Sequence, residues 1–235
     1  MKKLIKGGTI VTSEKSYVSD ILIENEKIIK IGDNLSQDNC EVIDASGRLV
    51  FPGFIDAHTH FDLKTITTTA DDFYTGTKAA IAGGTTSVID FATADRGMTL
   101  MEALDVWHKK ADGQSSCDYG FHMSFSEWNE ELSKEVDLMT ENGITSYKLY
   151  MAYDNLRVSD SDIFEILKRK VLEGVLVRFI YDDFGCIKTL KPKYYKELQK
   201  KGIHCASFNP FRPALSIIMN NRDHRKILVV DLVLF

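Results

Sequence analysis

FPGFIDAHTH, residues 51–60, is the stretch on which the fold of this chain turns. Its apolar residues, set between a Pro-Gly turn and a pair of histidines, read as a buried strand. His58 and His60 are two apart, so on a strand they leave the same face. Outward from it, a regular alternation begins. DDFYTGTKAAIAG reads as a helix entered through Asp71 or Asp72, and GGTTSVIDFAT as a second buried strand after a Gly-Gly stop. MTLMEALDVWHKKA is helical, DYGFHMSF strand-like, EWNEELSKEVDLMTENG a helix closed by Asn142-Gly143, and ITSYKLYMAY a further strand. Strand and helix alternating through short connections imply parallel βα units. Four such strands suit the first half of an eight-fold βα barrel and suit a doubly wound sheet equally; periodicity does not separate the two.

Before residue 51 the rhythm is different. KLIKGGTIVT, DILIENEKIIKIG and CEVIDASGRLVFPG are short β-rich runs bounded by Gly, Asn or Asp, with a hairpin expected at Glu24–Lys27. Together they predict a small β-module that needs a neighbour for stability. Within the 235 residues, 44% hydrophobic and 27% charged, no run reaches the roughly 18 apolar residues of a membrane span, and the N-terminus lacks a secretory signal, so a cytoplasmic protein is expected. Cys40, Cys117, Cys186 and Cys205 are scattered without a C-x-x-C spacing, which argues for reduced thiols and against a zinc ribbon. The net charge of −5 divides unevenly: residues 1–167 hold 15 Lys+Arg against 28 Asp+Glu, and residues 168–235 hold 14 against 6. A basic final third can meet phosphate groups, or can simply rest on the acidic remainder.

Two features carry chemistry in the first part. At the C-terminal end of a barrel strand the face bearing His58 and His60 points into the mouth, and two imidazoles at that spacing can share one divalent cation. Lys148 stands inside the apolar and aromatic run ITSYKLYMAY. If buried there, its amine is driven towards the neutral form, which can add carbon dioxide to give a metal-bridging carbamate; the alternative is an edge-strand lysine reaching water.

Residues 1 to about 168 resemble the dihydropyrimidinase (D-hydantoinase) family of the amidohydrolase superfamily. The matching stretches are the β-module, GRLVFPGFIDAHTHFD, AAIAGGTTSVIDFA, DYGFHMSF, and GITSYKLYMAY followed by VSDSDIFEILKR. The resemblance implies that His58 and His60 bind one Zn2+. It implies that Lys148, as a carboxylysine, bridges two zinc ions, and that Tyr153 helps polarise the substrate carbonyl. Hydrolysis of a small cyclic amide or ureide follows, by a water whose pKa the cations lower, in a homo-oligomer. The family also needs two later histidines and a late aspartate. The next strand, GVLVRFIYDDFG, contains no histidine.

From about residue 168 the sequence resembles the first catalytic half of bacterial cardiolipin synthase, in the phospholipase D superfamily. VRFIYDDFG, YYKELQKKGIHCASFNPFRP and NRDHRKILVVD carry that likeness. It implies that His224, of the H-x-K-x4-D pattern, attacks phosphorus, that Lys226 neutralises phosphate oxygens, and that Asp231 completes the motif. The partner would be a phospholipid or other phosphodiester; no nucleic acid is expected. The expected architecture is therefore α/β: a β-module over 1–50, a truncated (β/α) barrel half over 51–167, and a truncated phospholipase D-like segment over 168–235. The expected function is metal-dependent cyclic amide hydrolysis. The alternatives are a phosphatidyltransferase acting through His224, and an inactive chimera joined within EILKRKVLEGV.

Overall fold

The structure, a computed structural model, describes residues 2–64, 67–150, 155–182, 191–208 and 228–231. The N-terminal runs form the expected module. Strands β1 (Lys2–Val11), β2 (Ser16–Glu24), β3 (Lys27–Gly32), β4 (Cys40–Asp44) and β5 (Leu49–Val50) make one sheet in the order β3-β2-β1-β4, with β5 also on β1. The β2–β3 hairpin closes through Asn25 and Glu26, both at positive φ (47° and 69°), the two-residue turn whose twist matches antiparallel strands. The Asp20 carboxylate locks the module by accepting from the amides of Gly7 (2.8 Å) and Leu35 (3.0 Å).

Then the strand-helix rhythm begins: β6 (Phe54–Thr59), α1 (Phe73–Ala82), β7 (Thr85–Ala94), α2 (Leu100–Ala111), β8 (Asp118–Phe125), α3 (Glu130–Glu141) and β9 (Tyr147–Leu149). Asp72 caps α1, accepting from the Thr75 amide at 2.8 Å while the Thr75 hydroxyl accepts from the Asp72 amide. Gly83 and Gly84 end the helix, Gly84 at φ 89°. The sheet runs β6-β7-β8-β9, with β6 and β7 parallel. Strand order equal to chain order is the barrel pattern. A doubly wound sheet reverses direction partway, so the ambiguity left by periodicity is resolved.

One expectation fails. The apolar composition of β6 predicts burial, yet Phe54 is 53% and Ile55 67% exposed, and only Thr59 in the strand is buried. Among the described residues β6 is an end strand of its sheet, paired with β7 alone, so its apolar composition is not matched by cover.

Helix α4 (Asp160–Leu172) starts at Ser159, whose hydroxyl accepts from the Asp162 amide at 3.1 Å, and ends before Gly174 at φ 85°. β10 (Leu176–Asp182), α5 (Tyr194–Gln199), β11 (His204–Phe208) and β12 (Leu228–Asp231) follow. β10 does not extend the four-stranded sheet. It is the centre of a separate one, β11-β10-β12, parallel to β11 and antiparallel to β12. By contacts the chain divides into two units, one of residues 1–93, 101–123 and 138–147, the other of 94–100, 124–137 and 148–235.

Candidate functional site

The His-x-His pair sits where β6 leaves its ladder. The register runs Asp56↔Val88 and then Thr59↔Asp90, so one extra residue is accommodated on β6 between them, and the His58 amide turns back onto Asp56 Oδ1 at 3.1 Å. Such a bulge re-aims side chains at a strand end. Both imidazoles pack on the Phe91 ring, with centroids 4.8 Å (His58) and 4.9 Å (His60) away, and lie 5.1 Å from each other at 89°. The shared face expected from the spacing is present. His58 is exposed, His60 is half-buried, and Thr59 between them is buried on the opposite side. The Nδ1 atom of His60 is buried and makes no hydrogen bond among the described residues.

Sequence reasoning missed His122. It stands on β8 with its ring 4.8 Å from Phe91, its Nε2 3.0 Å from the Ala57 carbonyl, and its Nδ1 against the Ser146 hydroxyl. A carbonyl only accepts, so Nε2 is the donor there. The signal was available: in DYGFHMSF the histidine alternates with Phe121 and Met123, both buried on the other face.

Sequence reasoning also passed over Asp90. This side chain on β7 is 1% exposed. Its Oδ2 accepts from the Phe61 amide (2.8 Å) and the Thr59 hydroxyl (3.0 Å). Its Oδ1 accepts from the Phe91 amide (2.7 Å) and the Trp107 indole (3.1 Å). Behind His60, Phe61 packs on Phe73 of α1 with centroids 5.2 Å apart. Gly76 permits that approach, since a Cβ there would stand 2.2 Å from the Phe61 ring.

Lys148, in the middle of β9, is half-buried, with its ammonium 4.6 Å above the Tyr150 ring. It belongs to the second unit and the histidine pair to the first. Tyr153, His224 and Lys226 lie outside the described residues, as does Cys186; Asp231 closes β12, its backbone opposite Leu176. Cys40, Cys117 and Cys205 are free thiols, as expected; burial pushes the Cys205 thiol up to about 11. Among the described residues no group of three or more His, Cys, Asp or Glu side chains is arranged to hold a metal. The donor chemistry of the pair nevertheless suits a cation. Two imidazoles from alternate positions of one strand, stacked on one ring, form a partial ligand set of the kind zinc accepts. No helix among the described residues is long and apolar enough to cross a membrane.

Comparison with known proteins shows what this part of the chain is similar to. Residues 49–151, which include His58, His60 and Lys148, match the amidohydrolase family, whose members are generally metal-dependent. The particular likeness is to hydantoin and dihydropyrimidine hydrolases. The chain is 42% identical over 213 residues to a D-hydantoinase of Geobacillus stearothermophilus, covering 89% of this chain and 45% of that protein. It is 44% identical over 170 residues to a dihydropyrimidinase of Dictyostelium discoideum, covering 71% and 34%. The crystal structure of dihydropyrimidinase from Brevibacillus agri superposes with a TM-score of 0.70 at 46% identity, covering 72% of this chain and 37% of that one. The chain thus spans less than half the length of these relatives. A match over 89% of the chain also enters the segment after residue 168, where the sequence reading ended the hydantoinase likeness.

Proposed function

We propose that the chain carries the first part of the catalytic centre of a cyclic amide hydrolase of the hydantoinase and dihydropyrimidinase type, with a ring amide or ureide as substrate. The observation that carries this reading is the His58–His60 pair, gathered with His122 around the Phe91 ring at the bulged end of β6. His58 and His60 are the residues that would hold a zinc ion, and Lys148, as a carbamate, would share in holding a second. When bound, the cations lower the pKa of water and polarise the ring carbonyl. The chain's own residues supply the frame. Phe91 keeps water from one side of both imidazoles, the His122 ring holds the Ala57 carbonyl beside them, and Tyr153 would donate to the oxygen on which negative charge develops. A cytoplasmic location and a homo-oligomer belong to the same reading.

Purified protein should contain zinc in proportion to chain and open a hydantoin ring. His58→Ala should lose both. Metal-free protein that turns over no cyclic amide overturns the reading and leaves the inactive chimera in its place.

A second reading concerns residues 168–235. β10 sits in its own sheet beside an antiparallel β12, where a continuing barrel would place it against β9. That break supports a phospholipase D-like segment, with His224 as nucleophile, Lys226 on the phosphate oxygens and Asp231 completing the motif, acting on a phospholipid. Its test is a covalent phosphohistidine that forms with lipid substrate and disappears in His224→Ala; no phosphoenzyme with any phosphodiester removes it.

A further inference from the structure

We propose that Asp90 is the positioning residue of the His-x-His centre, an inference that rests on the metal-binding reading above. Asp90 and Phe91 are successive residues of β7 and so face opposite ways. On one side, Phe91 offers the ring against which both imidazoles lie. On the other, the Asp90 carboxylate grips Thr59, the residue between the two histidines, and the amide of Phe61, the residue after them. The other oxygen holds the Phe91 amide and the Trp107 indole of α2. One buried carboxylate therefore fixes both the strand end that carries the imidazoles and the ring that backs them.

All four partners are donors, and each oxygen takes one backbone N–H. An amide in place of the carboxylate thus cannot be fitted by flipping: in Asp90→Asn, whichever way the new side chain turns, its NH2 meets a backbone N–H that it cannot accept from. On the β6 side the Thr59 hydroxyl also reaches the Ile89 carbonyl at 3.3 Å, and the ladder resumes at Thr59↔Asp90 only after the bulge, so the carboxylate reinforces an end that is out of simple register. Trp107, by contrast, bonds the oxygen that holds the Phe91 amide, not the one that takes Thr59 and Phe61.

The experiment titrates metal-free protein of the full chain with Zn2+, and with Co2+ for its ligand-field spectrum, in Asp90→Asn, Thr59→Val and Trp107→Phe. Asp90→Asn should weaken zinc binding by about 10- to 100-fold and shift the cobalt spectrum, as loss of a group that orients metal ligands does. Thr59→Val, which keeps the carboxylate and removes one donor on the β6 side, should weaken it by roughly tenfold, and Trp107→Phe by no more than about twofold, although Trp107→Phe also lowers the melting temperature. Amide hydrogen exchange at His60 and Phe61 should quicken in Asp90→Asn and Thr59→Val and stay at the parental rate in Trp107→Phe. Parental zinc affinity in Asp90→Asn, or an equal loss in Trp107→Phe, overturns the proposal. If the parent protein takes up no zinc, the metal-binding reading fails by itself. Exchange at His60 and Phe61 then decides on Asp90, and an unchanged rate in Asp90→Asn removes its anchoring role.

Discussion

The sheet of β6 to β9 and the sheet of β10 to β12 grow from the same local grammar and end in different topologies. In both, a strand is followed by a helix that closes at a glycine and leads to the next strand: Gly83-Gly84, Gly143, Gly174 and Gly202 all mark such exits, the last four at positive φ. In the first sheet each new strand is added beside the one before. Helical crossovers keep the strand ends together, so His58 and His60, Phe91 and His122 from three strands meet on one face. In the second sheet β10 lies in the middle and β12 runs against it, with Asp231 opposite Leu176 at the start of β10. There Asp231 falls at the other end of β10 from Asp182 and its β11 partner Phe208. The difference teaches that capping and helix stops define elements, while the choice of neighbour decides which side chains can gather.

That contrast can be broken most forcefully from its cores. Phe73 is 1% exposed and packs against Phe61 and Phe121. Phe73→Ala should cost about 4 kcal/mol in urea denaturation, with amide protection lost in β6 to β8. Leu198 of α5 is equally buried, and its carbonyl accepts from the Ile203 amide at the turn into β11. Leu198→Ala should cost about 3 kcal/mol, with protection lost in β10 and β11 instead. If either substitution strips protection equally from both sheets, the two do not behave as separate regions. A smaller effect is expected at the helix that leads into β10. Ser159→Ala removes the cap of α4 and should cost about 1 kcal/mol, read as faster exchange in the first turn of that helix.

The smallest effect is a pH dependence confined to the first region. The Asp112 carboxylate accepts from the Tyr119 hydroxyl, which holds Asp112 below the usual carboxylate range and pushes Tyr119 up to about 12. Folded protein therefore keeps the phenolic proton that unfolded chain gives up from about pH 10. The Tyr119 contribution is full below pH 10 and fades as pH rises towards 12. For Asp112 the sign is opposite: its contribution is present above the unfolded pKa near 3.8 and is lost as pH falls through the lower folded value. Tyr119→Phe should raise the Asp112 pKa and remove the Tyr119 share of the alkaline decline; a difference between the parent and Tyr119→Phe phenolate absorbance titrations that falls at an ordinary tyrosine pKa would refute the pairing.

Much of the first region was legible in the sequence because its signals are local. The cap at Asp72, the glycine exits, the Asn25-Glu26 turn and the two-residue spacing of His58 and His60 each depend on a few neighbouring residues, and each stands where expected. The exposure of Phe54 and Ile55 was not legible, because an apolar strand is written the same way whether or not something covers it. Nor were Asp90 and His122. A carboxylate inside GGTTSVIDFAT gains its meaning only from Thr59 and Phe61, some thirty residues earlier, and from Trp107, 17 residues later. The sequence by itself determined the kind and order of the elements and the pair of histidines on one face. Only the tertiary structure decided the strand order that favours a barrel over a doubly wound sheet, the separate pairing of β10, and the buried carboxylate behind the histidines. Elements follow from short-range sterics and hydrogen bonding, whereas strand neighbours and buried polar partners are set by contacts between residues far apart in the chain.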